Sequence, residues 1–576
     1  MGRGGNGDAA SKKKKITIVG VSSLILVAMV VAVAVGVKND RSGNSSGDNA
    51  APSGVSTSSK AVTALCQSTD YKETCVDSLK AANTTDPKEL VRAGFQVAIK
   101  AIKEALENST TLKDLGKDSR TGQALEDCND LLDSAIDDLE NSFNKLGAFD
   151  IKKMDDYINE LKIWLSGAVT FEQTCLDQFI NITNNDAGEK MTKILKSSRE
   201  LTINGLAMVS ELSTLLNSVN INRRLFSEEN PDQNGESSDN NDEYPAWVNN
   251  GRRNLLAETA STIKANAVVA KDGSGQYKTI TDALKSVPQN NNVTYVIHIK
   301  AGVYQEYIEV TKTMTNVMFI GDGPTQTRVT GNKNFIDGMN TIRTATVAIM
   351  GPNFIAKDMG FENTAGAIKH QAVALRVQAH QSIFYNCHID GYQDTLYAHA
   401  HAQFYRDCTI SGTIDFIFGD AAVVFQNCKM VVRKPLENQN CIVTAQGRND
   451  VREATGIVIQ NCIITGEPAY LPVKNLNKAY LGRPWREYSR TIIMQSQIDD
   501  IIQPEGWLPW NGEFALNTLW YGEYNNRGPG ATVTNRVTWK GIQKVSPQQA
   551  NSFTVAKFIS DYWIKASGVP YSPGMM

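Results

Sequence analysis

Residues 391–420 read GYQDTLYAHAHAQFYRDCTISGTIDFIFGD, and the rhythm that this stretch shares with its neighbours decides the fold. A β-prone run closes on a cysteine and an apolar residue four times: FYNCHI ends at Ile389, FYRDCTI at Ile410, VFQNCKM at Met430 and VIQNCII at Ile464. Cys387 precedes Cys408 by 21 residues and Cys408 precedes Cys428 by 20, whereas the 34 residues to Cys462 require an inserted loop. A strand recurring with a period near 20 predicts the stacked coils of a parallel β-helix, each burying its face on the next.

The same register pairs two acids. Asp394 follows Cys387 by seven residues and Asp415 follows Cys408 by seven, so stacked cysteines put the aspartates on adjacent coils, about 5 Å apart along the stacking direction. Two carboxylates that close do not both ionise easily, and one is driven toward its protonated form. Asp415 also sits inside the apolar run from Ile414 to Phe418, where an aspartate is costly to bury unless something uses it. Such an asymmetric pair is suited to acid–base or nucleophilic chemistry.

Outward from this stretch the chain of 576 residues is too long for one core. Residues 257–576 alternate short β-rich runs (TYVIHI, NVMFIG, TATVAIM, AVVF, GIVIQ) with Gly, Asn and Asp, and read as the all-β domain. Residues 61–222 read as an all-α bundle, because segments such as ELVRAGFQVAIKAIKEALEN repeat apolar residues every three to four positions. Between them, 223–256 reads as an unstructured linker punctuated by Arg223-Arg224 and Arg252-Arg253, two sites open to proteolysis. Residues 38–60, rich in Ser, Gly and Asn, read as a flexible stalk. Residues 16–37 carry no charge and follow a basic tail, 1–15, that ends in four lysines. This pattern predicts a signal-anchor in preference to a cleaved signal peptide, with the tail left in the cytosol. Asn-x-Ser/Thr acceptors at Asn44, Asn83, Asn108, Asn181 and Asn292 agree with a secretory route.

Charge excludes one class of partner. The formal net charge is −3; residues 257–576 hold 29 Lys and Arg against 25 Asp and Glu, leaving −7 for the first 256 residues. An excess of four cations is too small to argue nucleic-acid binding, though it suits a polyanionic substrate. Nine cysteines fall as four before residue 180 and five after 380. With no CxxC pair or HExxH segment, disulfides are expected in an oxidising compartment and no metal site is expected.

Supporting groups lie near the two aspartates in the sequence motifs. Gln371 in HQAVAL and Gln393 beside Asp394 are neutral amides, able to donate to a developing oxyanion. Arg483 in LGRPW can hold a carboxylate ionised through paired hydrogen bonds, and Trp485 can stack on the apolar face of a sugar.

The segments GVYQEYIEV (302–310), GFENTAG (360–366), HQAVALRV (370–377), GYQDTLY (391–397), GTIDFIFGDAAVVFQNC (412–428), VTAQGR (443–448) and YLGRPW (480–485) together resemble the pectin methylesterases of plants. The resemblance spans 258–576 and implies a right-handed parallel β-helix that hydrolyses the methyl esters of galacturonan. ALEDCNDLLDSAIDDL and TFEQTCLDQF are similar to the inhibitor-type helical region that such enzymes carry, with Gln178 where a glycine is expected. It further implies that Asp415 is the nucleophile, that Asp394 is the general acid and then base, that Gln371 and Gln393 form the oxyanion hole, and that Arg483 holds Asp415 ionised. Thr341, Gln371, Arg483 and Trp485 would line the substrate cleft, with Trp507 and Trp510 extending it. No cofactor is implied. The implied partners are methyl-esterified homogalacturonan, a proteinaceous pectinesterase inhibitor and a subtilisin-like processing protease. The implied destination is the secretory pathway and then the extracellular cell wall.

Bridges Cys66–Cys75 and Cys128–Cys175 are expected in the helical region. Gly360 stands where some family members have a cysteine bridged to the position of Cys387, so that bridge is lost here. On spacing, Cys408–Cys428 and Cys428–Cys462 both qualify as bridges. Two carboxylates about 5 Å apart also suit retaining glycoside hydrolysis, so a β-helical hydrolase or lyase on the same polymer is the rival reading. It is weakened by the lack of an Asp-Asp pair beside a Gly-His-Gly turn. A non-enzymatic binding protein is disfavoured because every expected catalytic position is filled, and a serine hydrolase because no G-x-S-x-G elbow exists.

Overall fold

The computed structural model of the chain describes residues 57–112, 116, 118–145, 154–180, 182, 186–227 and 264–576. The basic tail, the apolar segment 16–37 and Arg252-Arg253 lie outside the described residues. No helix among the described residues is long and apolar enough to cross a membrane.

Six helices come first: α1 (Thr57–Cys66), α2 (Lys72–Leu79), α3 (Pro87–Thr110), α4 (Ser119–Lys145), α5 (Met154–Asp177) and α6 (Asp186–Ser227). Two boundaries differ from those read in the sequence. α1 begins at Thr57, inside the expected stalk, and α6 runs to Ser227, so Arg223-Arg224 belongs to its last turns and not to a linker. The reason is local: NINRRLFS holds no Gly or Pro to stop a helix. Among the described residues, those within 57–105, 139–158 and 195–227 form one compact unit; those within 106–138, 159–194 and 264–576 form the other.

In the first unit the Cys66–Cys75 bridge ties α1 to α2. Asn204 clamps Tyr71 by accepting from its backbone N–H at 3.2 Å and donating to its carbonyl at 2.9 Å. Gly205 allows close approach of Phe95, whose ring lies 3.1 Å from where a Cβ would stand.

The second unit is dominated by a parallel β-helix of three sheets, with eleven, seven and eight strands. Most coils place one strand in each sheet, and the register is the one that the cysteine spacing predicts. Tyr405 pairs with Phe425, Ile389 with Ile410 and Ile410 with Met430. Inside the coils aromatic rings stack from rung to rung, Phe384 on Tyr405 at 4.8 Å and Tyr405 on Phe425 at 4.7 Å. Such pairs contribute about 0.5–1.5 kcal/mol each beyond area burial. Asp358, Asn386, Asp407, Asn427 and Asn461 recur one place before the stacked Met359, Cys387, Cys408, Cys428 and Cys462, all with φ between 50° and 56°. Asn and Asp tolerate this left-handed turn best after Gly, which explains the repeated Asn-Cys.

The five cysteines after residue 380 are free and buried, so the expected Cys408–Cys428 bridge is not formed. The stacking that brings the thiols together also gives each a backbone partner: Cys408 donates to Phe384 O at 3.3 Å and Cys428 to Tyr405 O at 3.4 Å. Cys128–Cys175 is formed and joins α4 to α5 within this unit. Short C-terminal helices cover the eleven-stranded sheet, burying Val555, Phe558, Trp563 and Ile564 against Ile320, Phe404, Val424 and Ile492.

Candidate active site

The seven-stranded sheet carries the site. Its strands are β1 (Ile308–Val310), β2 (Val347–Ile349), β3 (Leu375–Val377), β4 (Leu396–Ala398), β5 (Ile417–Gly419), β6 (Cys441–Gln446) and β7 (Ala479–Gly482). They are ordered along the sheet as they are in sequence. Leu396 pairs with Ile417, which places Asp394 beside Asp415 on neighbouring rungs just before β4 and β5. Asp394 N–H donates to Ile414 O at 3.0 Å. Both aspartates occupy the left-handed region, at φ 60° and 51°, where a non-glycine residue is strained. The turn aims the carboxylates out of the stack, where a regular strand would point alternate side chains into the core.

Arg483, just past β7, reaches Asp415 through a two-point pair, Nε to Oδ1 at 2.9 Å and Nη2 to Oδ2 at 2.6 Å. Among the described residues, Asp394 has no such partner. Burial drives the Asp394 pKa well above the carboxylate range, the negative charge of Asp415 adds to the rise, and Arg483 opposes it. Burial also raises the Asp415 pKa, but there Arg483 opposes through both charge and hydrogen bonds. Burial disfavours charge on Arg483 too, yet Asp415 lifts its pKa above the ordinary arginine value. The environment thus presses harder against charge on Asp394 than on Asp415, whose ionised form Arg483 favours.

Gln393, next to Asp394, meets Gln371 on the preceding rung in an isolated parallel bridge, and Ala372 N–H donates to Gln393 O at 3.2 Å. Their side chains join Thr341, Asp394, Asp415, Arg483 and Trp485 around a cleft of about 410 Å³. The Gln371 Oε1 atom, shut off from solvent, has no hydrogen-bond partner among the described residues. Trp485 lies over Gly447, where a Cβ would stand 2.8 Å from its ring, so only glycine lets the indole settle there.

Of the two further tryptophans, Trp510 lines the cleft and packs 4.4 Å from the Arg483 guanidinium. Trp507 does not extend the cleft. It is 1% exposed and lies against Tyr521 in the core, because its bridge to Gly482 turns the ring inward.

Several residues of this site escaped the sequence reading. Tyr397 and Phe418 stack at 4.3 Å on the cleft floor, and the alternation in DTLYA and DFIFG was the available signal for their outward direction. Asp177 ion-pairs with Arg486, and Gln178, Ile180 and Ile182 line the cleft mouth, a placement no local pattern encodes. His399 and His401 of the opening stretch anchor the helices. His399 shares a hydrogen bond with Thr174 at 2.9 Å and His401 with Asp138 at 2.8 Å.

The reactive groups are thus carboxylates set on the rungs of a β-helix, an arrangement that defines a hydrolase acting on an ester or a glycosidic bond. The family description Pectinesterase matches residues 266–562, and Plant invertase/pectin methylesterase inhibitor matches 60–208. The chain is 52% identical to "Probable pectinesterase/pectinesterase inhibitor 21" of Arabidopsis thaliana, over 99% of this chain and 84% of the relative. It is 39% identical to "Pectinesterase/pectinesterase inhibitor U1" of Solanum lycopersicum, over 99% of this chain and 98% of the relative. The solved pectin methylesterase from carrot superposes with a TM-score of 0.54 at 52% identity, covering 55% of this chain and 99% of that one. The chain belongs to the pectinesterase family and carries an inhibitor-type helical region ahead of its β-helix.

Proposed function

We propose that Asp415 attacks the carbonyl carbon of a galacturonan methyl ester and that Asp394 manages the proton. The observation that carries this assignment is the asymmetry of the pair: two hydrogen bonds from Arg483 to Asp415 and none to Asp394. Attack by the Asp415 carboxylate forms a tetrahedral intermediate whose oxyanion accepts from the amides of Gln371 and Gln393. Collapse expels methoxide as methanol, with the proton coming from Asp394, and leaves an acyl-enzyme anhydride on Asp415. Asp394, now ionised, takes a proton from water as the water attacks that anhydride. The products are a free galacturonate and the starting carboxylate of Asp415.

Methanol release from pectin, without new reducing ends or unsaturated sugars, tests this reading. Reducing ends would support the glycoside-hydrolase rival, and unsaturated products a lyase.

The pH dependence has a definite sign. Asp415 must be ionised to attack, so activity rises with pH through its pKa and is lost below it. Because burial raises that pKa, the loss should set in at higher pH than for an exposed aspartate. Arg483→Lys keeps a charge but loses the planar fork, and should move the acid limb of kcat further up in pH. An unmoved acid limb would argue against Arg483 as the group that keeps Asp415 charged.

We infer a secretory route to the cell wall. Asn83, Asn108 and Asn292 are exposed on the molecule, as glycan acceptors must be. Processing after the stretch Arg252-Arg253-Asn254-Leu255-Leu256 by a subtilisin-like protease, and recognition by a separate inhibitor protein, are parts of the same reading. The amino terminus of wall-extracted enzyme tests the cut. Expression of residues 257–576 alone should give soluble enzyme that releases methanol, as expected if the β-helix holds its own core. Recovery of only insoluble chain would assign the helical region a folding role.

A further inference from the structure

The chain holds five Asn-Gly steps, and the two that fall among the described residues stand in opposite settings. Asn6-Gly7, Asn234-Gly235 and Asn250-Gly251 lie outside the described residues. Asn204-Gly205 falls inside α6, where Asn204 is buried and both ends of its amide are engaged by Tyr71. Asn511-Gly512 belongs to a turn in which every residue from Trp510 to Phe514 is exposed. Among the described residues, the Asn511 carboxamide makes no hydrogen bond and the Gly512 N–H donates none. The turn is held instead through the Asn511 carbonyl, which accepts from Phe514 N–H at 3.1 Å. Gly512 has a φ of 52°, and a Cβ added there would meet nothing within 4 Å.

An unengaged carboxamide beside an unengaged glycine N–H is a reactive pair. With no Cβ on the glycine, its nitrogen reaches the neighbouring Cγ freely, and asparagine counts among the thermolabile residues. Loss of the Gly512 N–H proton to base lets that nitrogen attack Asn511 Cγ. A C–N bond closes a five-membered imide, and the side-chain nitrogen leaves as ammonia. Water then opens the ring. Addition at Cγ gives aspartate, and addition at the main-chain carbonyl carbon gives isoaspartate, in which the backbone runs through the side chain. One water is consumed and one ammonia released.

We propose that Asn511 is a site of spontaneous deamidation, which turns the rim of the catalytic cleft from neutral to acidic as the protein ages. Its neighbour Trp510 lines that cleft and packs 4.4 Å from the Arg483 guanidinium. A carboxylate one residue from Trp510 repels a polyanionic substrate, and isoaspartate also lengthens the main chain by one carbon beside that ring. The conversion is independent of the esterase reading above, whereas its effect on methanol release rests on that reading. The change accumulates in one direction, since no step in the sequence restores the amide.

The test ages purified full-length protein in mildly alkaline buffer and follows its tryptic peptides by mass spectrometry, with isoaspartate detected by enzymatic methylation. Asn511 should convert to a mixture of aspartate and isoaspartate about tenfold faster than Asn204, whose reaction waits for α6 to open locally. Asn511→Gln should abolish that conversion and keep the starting rate of methanol release. Asn511→Asp supplies one product from the outset. It should raise KM for pectin about two- to fivefold at low salt, the size of one exposed charge contact, with kcat unchanged and the difference fading as salt screens the charge. Conversion of Asn511 no faster than that of Asn204 overturns the site. A KM for Asn511→Asp equal to wild type at low salt overturns its effect on the cleft. Absence of methanol release from every form would overturn the esterase reading, while deamidation at Asn511 would still stand.

Discussion

Asp415→Asn should abolish methanol release, with a loss on the order of 10⁴–10⁶, the scale seen when a covalent nucleophile is removed from a hydrolase. An amide oxygen in the same place is a poor nucleophile, and no other carboxylate is positioned to replace it. Asp394 is nearest, but its burial and its neighbour's charge favour its protonated form. The fold should survive, because Asn still accepts from Arg483 Nε and the left-handed φ of 51° suits Asn as well as Asp. Circular dichroism and a melting curve check folding, and retained binding of methylated oligogalacturonate checks the groove. A folded variant with near-native turnover would end the nucleophile assignment.

Asp394→Asn should lose about 10²–10⁴ in kcat, the usual worth of a positioned acid–base group. The same substitution should stabilise the protein, and the sign follows from linkage. The folded pKa of Asp394 lies above its unfolded value, so the native state holds the proton more tightly than the unfolded chain does. The stability this contributes is complete below the unfolded pKa and is lost as pH rises through the folded one. An amide needs no proton, so the variant escapes that loss. Its melting temperature at neutral pH should exceed wild type by about 2–4 °C for each kcal/mol recovered, with the gap closing toward pH 4 and below. A variant that is inactive and also less stable at neutral pH would mean that Asp394 is held by interactions the electrostatic account omits.

Much of this was legible in the chain because a β-helix writes its geometry at a short period. The Asn-Cys and Asp-Cys rungs fixed the register, and the register fixed Asp394 beside Asp415. Arg483 was found through its motif, but its grip on Asp415 spans 68 residues and an inserted loop, which spacing alone does not resolve. Trp507 was misread since an aromatic near a cleft motif looks the same whether a bridge turns it in or out. The thiols were expected to bridge because stacking brings them together, whereas carbonyl partners on the preceding rung satisfy them unbridged. The pairing of Arg343 with Asp127 on α4 was invisible, because the two stand 216 residues apart in sequence and share no local pattern.

The distances along the chain also set an order of events. Asp394 and Asp415 stand 21 residues apart and come together as soon as two rungs close, but Arg483 arrives only after the insertion and two more coils have been laid down. Loop closure favours the nearer contact. During refolding, then, two like charges meet before the cation that reconciles them, and the proton on Asp394 bridges the interval. Refolding of the β-helix should for that reason be faster under mildly acidic conditions, where that proton is already in place, than at the higher pH at which Asp415 works.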